Sequence, residues 1–218
     1  MADPRTALSR RERTALVETL RRVGPDAPTL CEGWTARDLA AHLVVREGRP
    51  DAAAGMLLPA LAGRLEELRL REAARPWDEL LDRIDHGAPW YSPLRYADQV
   101  ANAAEYLVHH EDVLRATPGW DERGFDTADL DRIWSLATTV ARTTLRKAPA
   151  RVELRTPAGV RLDKGRAVST GARLAPLVTV SAAPVELLLW AFGREECRVD
   201  LSGEQGALDE VLGMPRGI

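Results

Sequence analysis

The chain has 218 residues, enough for one large domain or two small ones. Hydrophobic residues make up 45% and charged residues 29%, which excludes a disordered or fibrous chain and lets a core form without staples. A net charge of −3 gives no bulk electrostatic case for nucleic acid or an anionic membrane. Cys31 and Cys197 are far apart and no charged-then-apolar leader opens the chain, so a disulfide-built secreted fold is not expected. The apolar run from Pro184 to Phe192 is interrupted by Glu186 and falls well short of the ~20 residues of a membrane span. Basic charge is almost all arginine, as GC-rich coding produces. The expectation is a cytoplasmic bacterial protein, monomer or homodimer, with small-molecule partners.

In chain order, the first two thirds read as helices. Ser9-Arg-Arg-Glu12 has capping-box spacing and predicts a helix from about Arg10 to Val23. Gly24 to Gly33 reads as a loop ending in a Glu-Gly-Trp turn. Thr35-Ala-Arg-Asp38 then starts a helix from Ala36 to about Glu47. A third helical stretch covers roughly Ala52 to Ala74, with Pro59 able to kink it. Pro76, at a first helical position, opens a short helix through Asp85. Gly87 to Pro93 is a loop carrying Trp90 and Tyr91. Long helices follow at Tyr96 to Arg115 and about Ala128 to Lys147.

After Pro149 the pattern changes. Val152 to Thr156 alternates like a strand, Pro157-Ala-Gly159 turns, and Val160 to Asp163 pairs back. Leu177 to Val180 is a third strand, Pro184 to Phe192 a buried helix, Cys197 to Leu201 a fourth strand and Glu204 to Leu212 a closing helix. The chain therefore divides into a helical bundle over 1–149 and a small α+β domain over 150–218.

Two of the four histidines stand out. His42 lies on the second helix, and His109 follows Glu105 by four residues. An i, i+4 pair shares a helical face with ~5–6 Å between Cβ atoms, so Glu105 and His109 can reach one ion. The same face carries Asp98, Asn102 and Asp112, a core-seam rhythm filled with polar residues. It reads either as the wet side of an amphipathic helix or as an interior polar site, and apolar neighbours on both sides leave room for the latter. Two imidazoles and a carboxylate form the open three-ligand arrangement of catalytic zinc, although other divalent ions also accept them. Asp112 and Asn102, one turn away, are candidate orienters of those ligands. His86 and His110, off the stripe, read as surface histidines.

Three motifs resemble a known family. The segment from Leu30 to Leu43, with Glu-Gly-Trp-Thr-Ala-Arg-Asp before His42, resembles the N-terminal signature of the mycothiol-dependent maleylpyruvate isomerase family, which belongs to the DinB-like four-helix metalloproteins. Glu105-Tyr-Leu-Val-His109-His-Glu-Asp112 resembles its second signature. Val180 to Arg194 resembles the family's second domain, a sterol-carrier-like α+β fold. The resemblance implies a DinB-like four-helix bundle followed by that domain, with zinc at His42, Glu105 and His109 and mycothiol as thiol cosubstrate. The stretch Val45 to Asp51 departs from the isomerase and looks like a separate actinobacterial branch, which bears on the substrate.

Other residues carry two readings each. Arg46, one turn past His42, either clamps a carboxylate of substrate or cofactor or pairs with Asp38 or Glu47 at the surface. Arg194 either stabilises a helix C-terminus or serves the catalytic cleft that the family's second domain helps form. Arg49 and Asp51 read as a salt bridge or cap and Trp34 as packing, while Cys31 reads as a small buried packing thiol, with a nucleophile or a fourth metal ligand as the other reading. Trp90 and Tyr91 either wall the pocket mouth or pack in the core. No dinucleotide, phosphate-loop, Cys-x-x-Cys or nucleophile-elbow motif is present. The reading is a zinc-dependent enzyme using mycothiol for isomerisation or S-transfer on a small electrophile. The alternatives are a thiol-independent metal-assisted hydrolase and a non-catalytic metal- or ligand-binding protein.

Overall fold

The computed structural model describes residues 7–49, 62–92, 101–157, 164–169 and 174–216. It divides into two compact units, Met1–Asp121 and Glu122–Ile218.

The first unit is helical. It contains α1 (Leu8–Val23), α2 (Ala36–Gly48), α3 (Ala62–Ala73), α4 (Trp77–His86) and α5 (Ala101–Leu114). Helix α1 begins ahead of its expected start. Ala7 is its N-cap, without a side-chain cap, and Ser9 and Glu12 are buried within the helix instead of capping it. Helix α2 does start on a capping box: Asp38 Oδ2 accepts from the Thr35 amide at 3.0 Å and from the Thr35 hydroxyl at 2.7 Å. Pro76 is the N-cap of α4 and so precedes its first turn. The expected segments at 52–61 and 96–100 lie outside the described residues.

Four of these helices share one core. Leu16 and Leu20 of α1, Leu39 and Leu43 of α2, Leu80, Leu81 and Ile84 of α4, and Tyr106 and Val113 of α5 form a single buried cluster. Each fully buried aliphatic side chain contributes about 1.5–3 kcal/mol relative to exposure, so the bundle's cohesion resides here. Gly87, just past α4, has φ +74°, and a Cβ there would stand 2.4 Å from the Arg13 guanidinium. Only glycine meets both conditions, and Arg13 is thereby free to reach inward.

The second unit is α+β: α6 (Thr127–Thr144), β1 (Arg151–Arg155), β2 (Gly165–Ala167), β3 (Leu177–Ser181), α7 (Pro184–Ala191), β4 (Asp200–Ser202) and α8 (Gln205–Leu212). The sheet order is β2-β1-β3-β4, with β1 and β3 parallel at its centre and both edge strands antiparallel. Val152, Leu154, Val178 and Val180 alternate onto its buried face. Helix α7 is buried throughout, and α6 packs against it.

Two strands differ from expectation. The strand described beside β1 is Gly165–Ala167, while 160–163 lie outside the described residues, and β4 starts at Asp200 rather than Cys197. Packing places α6 in the second unit, against α7, and Ile133, Trp134, Ala137 and Ala141 are among its buried residues. The change of sequence pattern at 149 marks a change of secondary structure, whereas the compact units divide at Asp121–Glu122. Among the described residues no helix is long and apolar enough to cross a membrane.

Candidate metal centre

Helix α2 brings His42 and, one turn on, Arg46 to the polar stripe of α5. Every residue of that helix from Asn102 to Val113 is buried except the half-buried Glu105, so the wet-face reading of the stripe does not hold. Glu105 Oε1 is the meeting point, 3.1 Å from His42 Nε2 and 3.3 Å from His109 Nε2. One donor atom from each of these three residues lies within 4.8 Å of the others. An ion bound at ~2.0–2.2 Å with tetrahedral angles separates nitrogen and oxygen donors by about 3.3–3.6 Å, within a few tenths of an ångström of the separations here. The donor set and its spacing therefore fit a divalent ion.

The surroundings orient these donors. Asp112, fully buried, places Oδ2 2.9 Å from His109 Nδ1, which turns Nε2 toward Glu105. Burial pushes the His42 imidazole below its ordinary pKa, in spite of its contact with Glu105. Burial alone would raise Glu105, but hydrogen bonds from His109 and His42 hold its carboxyl well below the usual range. Burial would lower His109, yet its contacts with Asp112, Cys31 and Glu105 carry it well above the ordinary imidazole value. The His42 ring lies against Trp34, with centroids 5.2 Å apart.

Arg46 is 7% exposed, which replaces the surface-pair reading with an interior one. Its Nη1 donates to Asn102 Oδ1 at 2.8 Å, and its Nε stands 3.4 Å from Glu105 Oε1. Asp38 pairs with Arg69, and Glu47 with Arg13 at 3.0 Å. Asn102 thus meets Arg46, and Asp112 is the residue that meets a proposed ligand.

Other expectations divide. His110 is not a surface residue: it is buried, with Nε2 2.9 Å from Thr19 Oγ1 and Nδ1 3.3 Å from Glu12 Oε2. Adjacent helix positions point about 100° apart, so His110 faces α1 while His109 faces α2. His86 is exposed, as expected, beside the Asp82 carbonyl at 2.6 Å. Trp90 and Tyr91 are 78% and 55% exposed, so core packing is excluded for both. Arg49 caps α2 through its amide, donated to the Val45 carbonyl, and Asp51 and Asp98 lie outside the described residues. In the second unit, Arg194 Nη1 donates to the Phe192 carbonyl at 3.2 Å, at the end of α7.

Cys31 does more than pack. Cys31 packs beside the core, but its Sγ also stands 3.2 Å from Asp112 Oδ2 and 3.8 Å from His109 Nδ1. The loop reaches α5 through the Leu30 amide, which donates to the Asp112 carbonyl at 3.0 Å. No local pattern announces a contact across 81 positions.

Residues 6–92 match the family model of the mycothiol maleylpyruvate isomerase N-terminal domain. No curated protein matches the chain. The crystal structure of the mycothiol-dependent maleylpyruvate isomerase aligns with a TM-score of 0.56 at 15% identity, covering 97% of this chain and 93% of that one. A histidine-to-alanine mutant of that isomerase aligns with a TM-score of 0.57 at 14% identity and the same coverage. At such identities the likeness establishes the shared fold, a helical bundle followed by an α+β domain. The resemblance read from the motifs thus meets a match of its own over the first of them, since residues 6–92 are similar to the mycothiol maleylpyruvate isomerase N-terminal domain.

Proposed function

We propose that this chain is a metal-dependent enzyme that uses a low-molecular-weight thiol, mycothiol, on a small electrophilic substrate. The observation that carries the reading is the convergence of His42, Glu105 and His109 on one point, in a chain bearing the domain just described. A divalent ion held there, zinc by preference, supplies the Lewis acidity that keeps a coordinated thiol deprotonated at neutral pH.

The chain's own residues do the rest. Asp112 fixes the His109 ring, and Trp34 walls the site against water beside His42. Arg46 offers a planar fork next to Glu105 and holds a carboxylate of the substrate or cofactor, keeping the reacting atoms close. The thiolate sulfur adds to a conjugated double bond, and the π-electron pair moves onto the substrate's carbonyl oxygen. Rotation about the former double bond and expulsion of the thiolate give the geometric isomer, whereas return of the proton released by the thiol to the enolate carbon, with the carbon–sulfur bond kept, gives S-transfer.

The test is a screen of metal-loaded protein against small electrophiles, with and without mycothiol. Turnover that needs both metal and thiol supports the proposal. Hydrolysis of test esters or amides without thiol would replace it with metal–water chemistry. Metal binding without turnover on either panel would leave a binding module.

A further inference from the structure

We infer that Cys31, Asp112 and the Nδ1 edge of His109 form a second cation site, for a thiophilic divalent ion, joined to the first donor set through the His109 ring. His109 presents its two nitrogens to different partners: Nε2 lies 3.3 Å from Glu105 Oε1, and Nδ1 lies 2.9 Å from Asp112 Oδ2. Cys31 Sγ closes the second set, 3.2 Å from Asp112 Oδ2 and 3.8 Å from His109 Nδ1. Like the first set, these three donors all lie within 4.8 Å of one another. A tetrahedral ion with sulfur at ~2.3 Å and nitrogen or oxygen at ~2.0–2.2 Å sets its donors about 3.3–3.6 Å apart. The observed separations straddle that range, so an ion fits with movements of a few tenths of an ångström.

Backbone contacts hold Cys31 there. The Leu30 amide is tied to the Asp112 carbonyl, the Cys31 amide donates to Thr29 Oγ1 at 3.2 Å, and the Trp34 amide donates to the Cys31 carbonyl at 2.9 Å. The loop thus fixes the donor before any ion arrives, which lowers the ordering cost of binding. Asp112 is fully buried and Cys31 half-buried, so an ion enters from the cysteine side. A thiolate, a carboxylate and an imidazole select zinc or cadmium over magnesium or calcium. Binding releases the Cys31 thiol proton and the His109 Nδ1 proton to solvent, and no electrons are transferred. The inference goes beyond the proposed activity and does not require that any thiol be turned over.

Titration of the metal-free chain with cadmium tests it, read by bound equivalents and by thiolate-to-cadmium absorption in the near ultraviolet. Wild type is expected to bind two equivalents and to develop the thiolate band. Cys31→Ser and Cys31→Ala, which both retain Cys197, should bind one equivalent and show no band. His42→Ala should lose the other equivalent and keep the band. Circular dichroism confirms that each variant is folded, and Asp112→Asn supplies an independent removal of the same site. A single equivalent in wild type without thiolate absorption would overturn the inference. So would a band that disappears in His42→Ala, since Cys31 would then serve the same ion as His42. Loss of thiol-dependent turnover alone speaks against the proposed activity and leaves these readings untouched.

Discussion

Asp112 Oδ2 stands 2.9 Å from His109 Nδ1, on the ring edge opposite the one that meets Glu105. The carboxylate sets which nitrogen of His109 faces the donors from α2, and it does so from a fully buried position. The edge that His109 turns toward Glu105 is therefore set by helix phase and by this one contact, and both can be tested.

His42→Ala, Glu105→Ala and His109→Ala should each lower bound metal by at least one equivalent. His86→Ala should leave metal content unchanged. His110→Ala should also keep metal but lose stability, because Thr19 and Glu12 forfeit a buried partner at a cost of about 1–3 kcal/mol. Elemental analysis with thermal melts on the five variants checks this. Metal loss in His110→Ala alongside metal retention in His109→Ala would mean that α5 presents its other face.

Arg46→Lys should keep metal and fold yet lose roughly ten- to a hundredfold in catalytic efficiency or thiol affinity, the size of one charge-assisted hydrogen bond. An ammonium cannot reproduce the fork that reaches Asn102 and lies beside Glu105. Arg46→Ala should in addition destabilise the fold by about 1–3 kcal/mol, since the buried Asn102 loses the Arg46 donor. Normal kinetics in both variants would remove Arg46 from the site.

The start of α2 should show an acid-sensitive contribution to stability. Burial on its own raises the Asp38 pKa, but hydrogen bonds from Thr35 and Arg69 outweigh it and hold the carboxyl below its ordinary value. A group depressed in the folded state stabilises fully above its unfolded pKa of about 3.9, and that stability is lost as pH falls through the folded value. Asp38→Asn should therefore melt below wild type near neutrality, with the gap closing below about pH 4. A gap that persists in acid would show that charge is not its source. Thr35→Ala should cost about 0.5–2 kcal/mol at neutral pH.

Residues 1–121 expressed alone should fold and bind metal, because His42, Glu105 and His109 all belong to that compact unit. A fragment ending at 149 should associate or precipitate, since it carries α6 without α7 and exposes Ile133, Trp134 and Ala137. Size-exclusion chromatography and metal analysis of the two fragments give the answer. A folded but metal-free 1–121 fragment would count against the assignment of ligands.

What was legible in the sequence was what periodicity and local chemistry encode. The Thr35–Asp38 cap, the helical bundle, the parallel pair of central strands' positions and the stripe of Glu105, His109 and Asp112 all follow from spacing within a few residues. What was not legible depends on which distant segment arrives opposite. His110 has the composition of a surface residue and becomes interior because Glu12 and Thr19 meet it from α1. Ser9-Arg-Arg-Glu12 matches a capping box, but Glu12 is taken by that tertiary contact. Cys31 reads first as packing for the same reason, because no histidine lies beside it in sequence and its partners are on a helix far along the chain.

Arg46 and Glu47 are consecutive on α2 and are committed in different directions. Arg46 reaches Asn102 and Glu105, while Glu47 holds Arg13, whose guanidinium lies 4.8 Å from the Tyr106 ring centroid. On α5 the counterparts Glu105 and Tyr106 are consecutive as well. A rotation of either helix about its axis would strain both connections together, and a slide by one residue would exchange a cation for an anion. These connections couple α1, α2 and α5, and amide hydrogens in the middle of α2 should be among the slowest to exchange. Adaptation to ligands of different size then falls to the loops rather than to the register of these three helices.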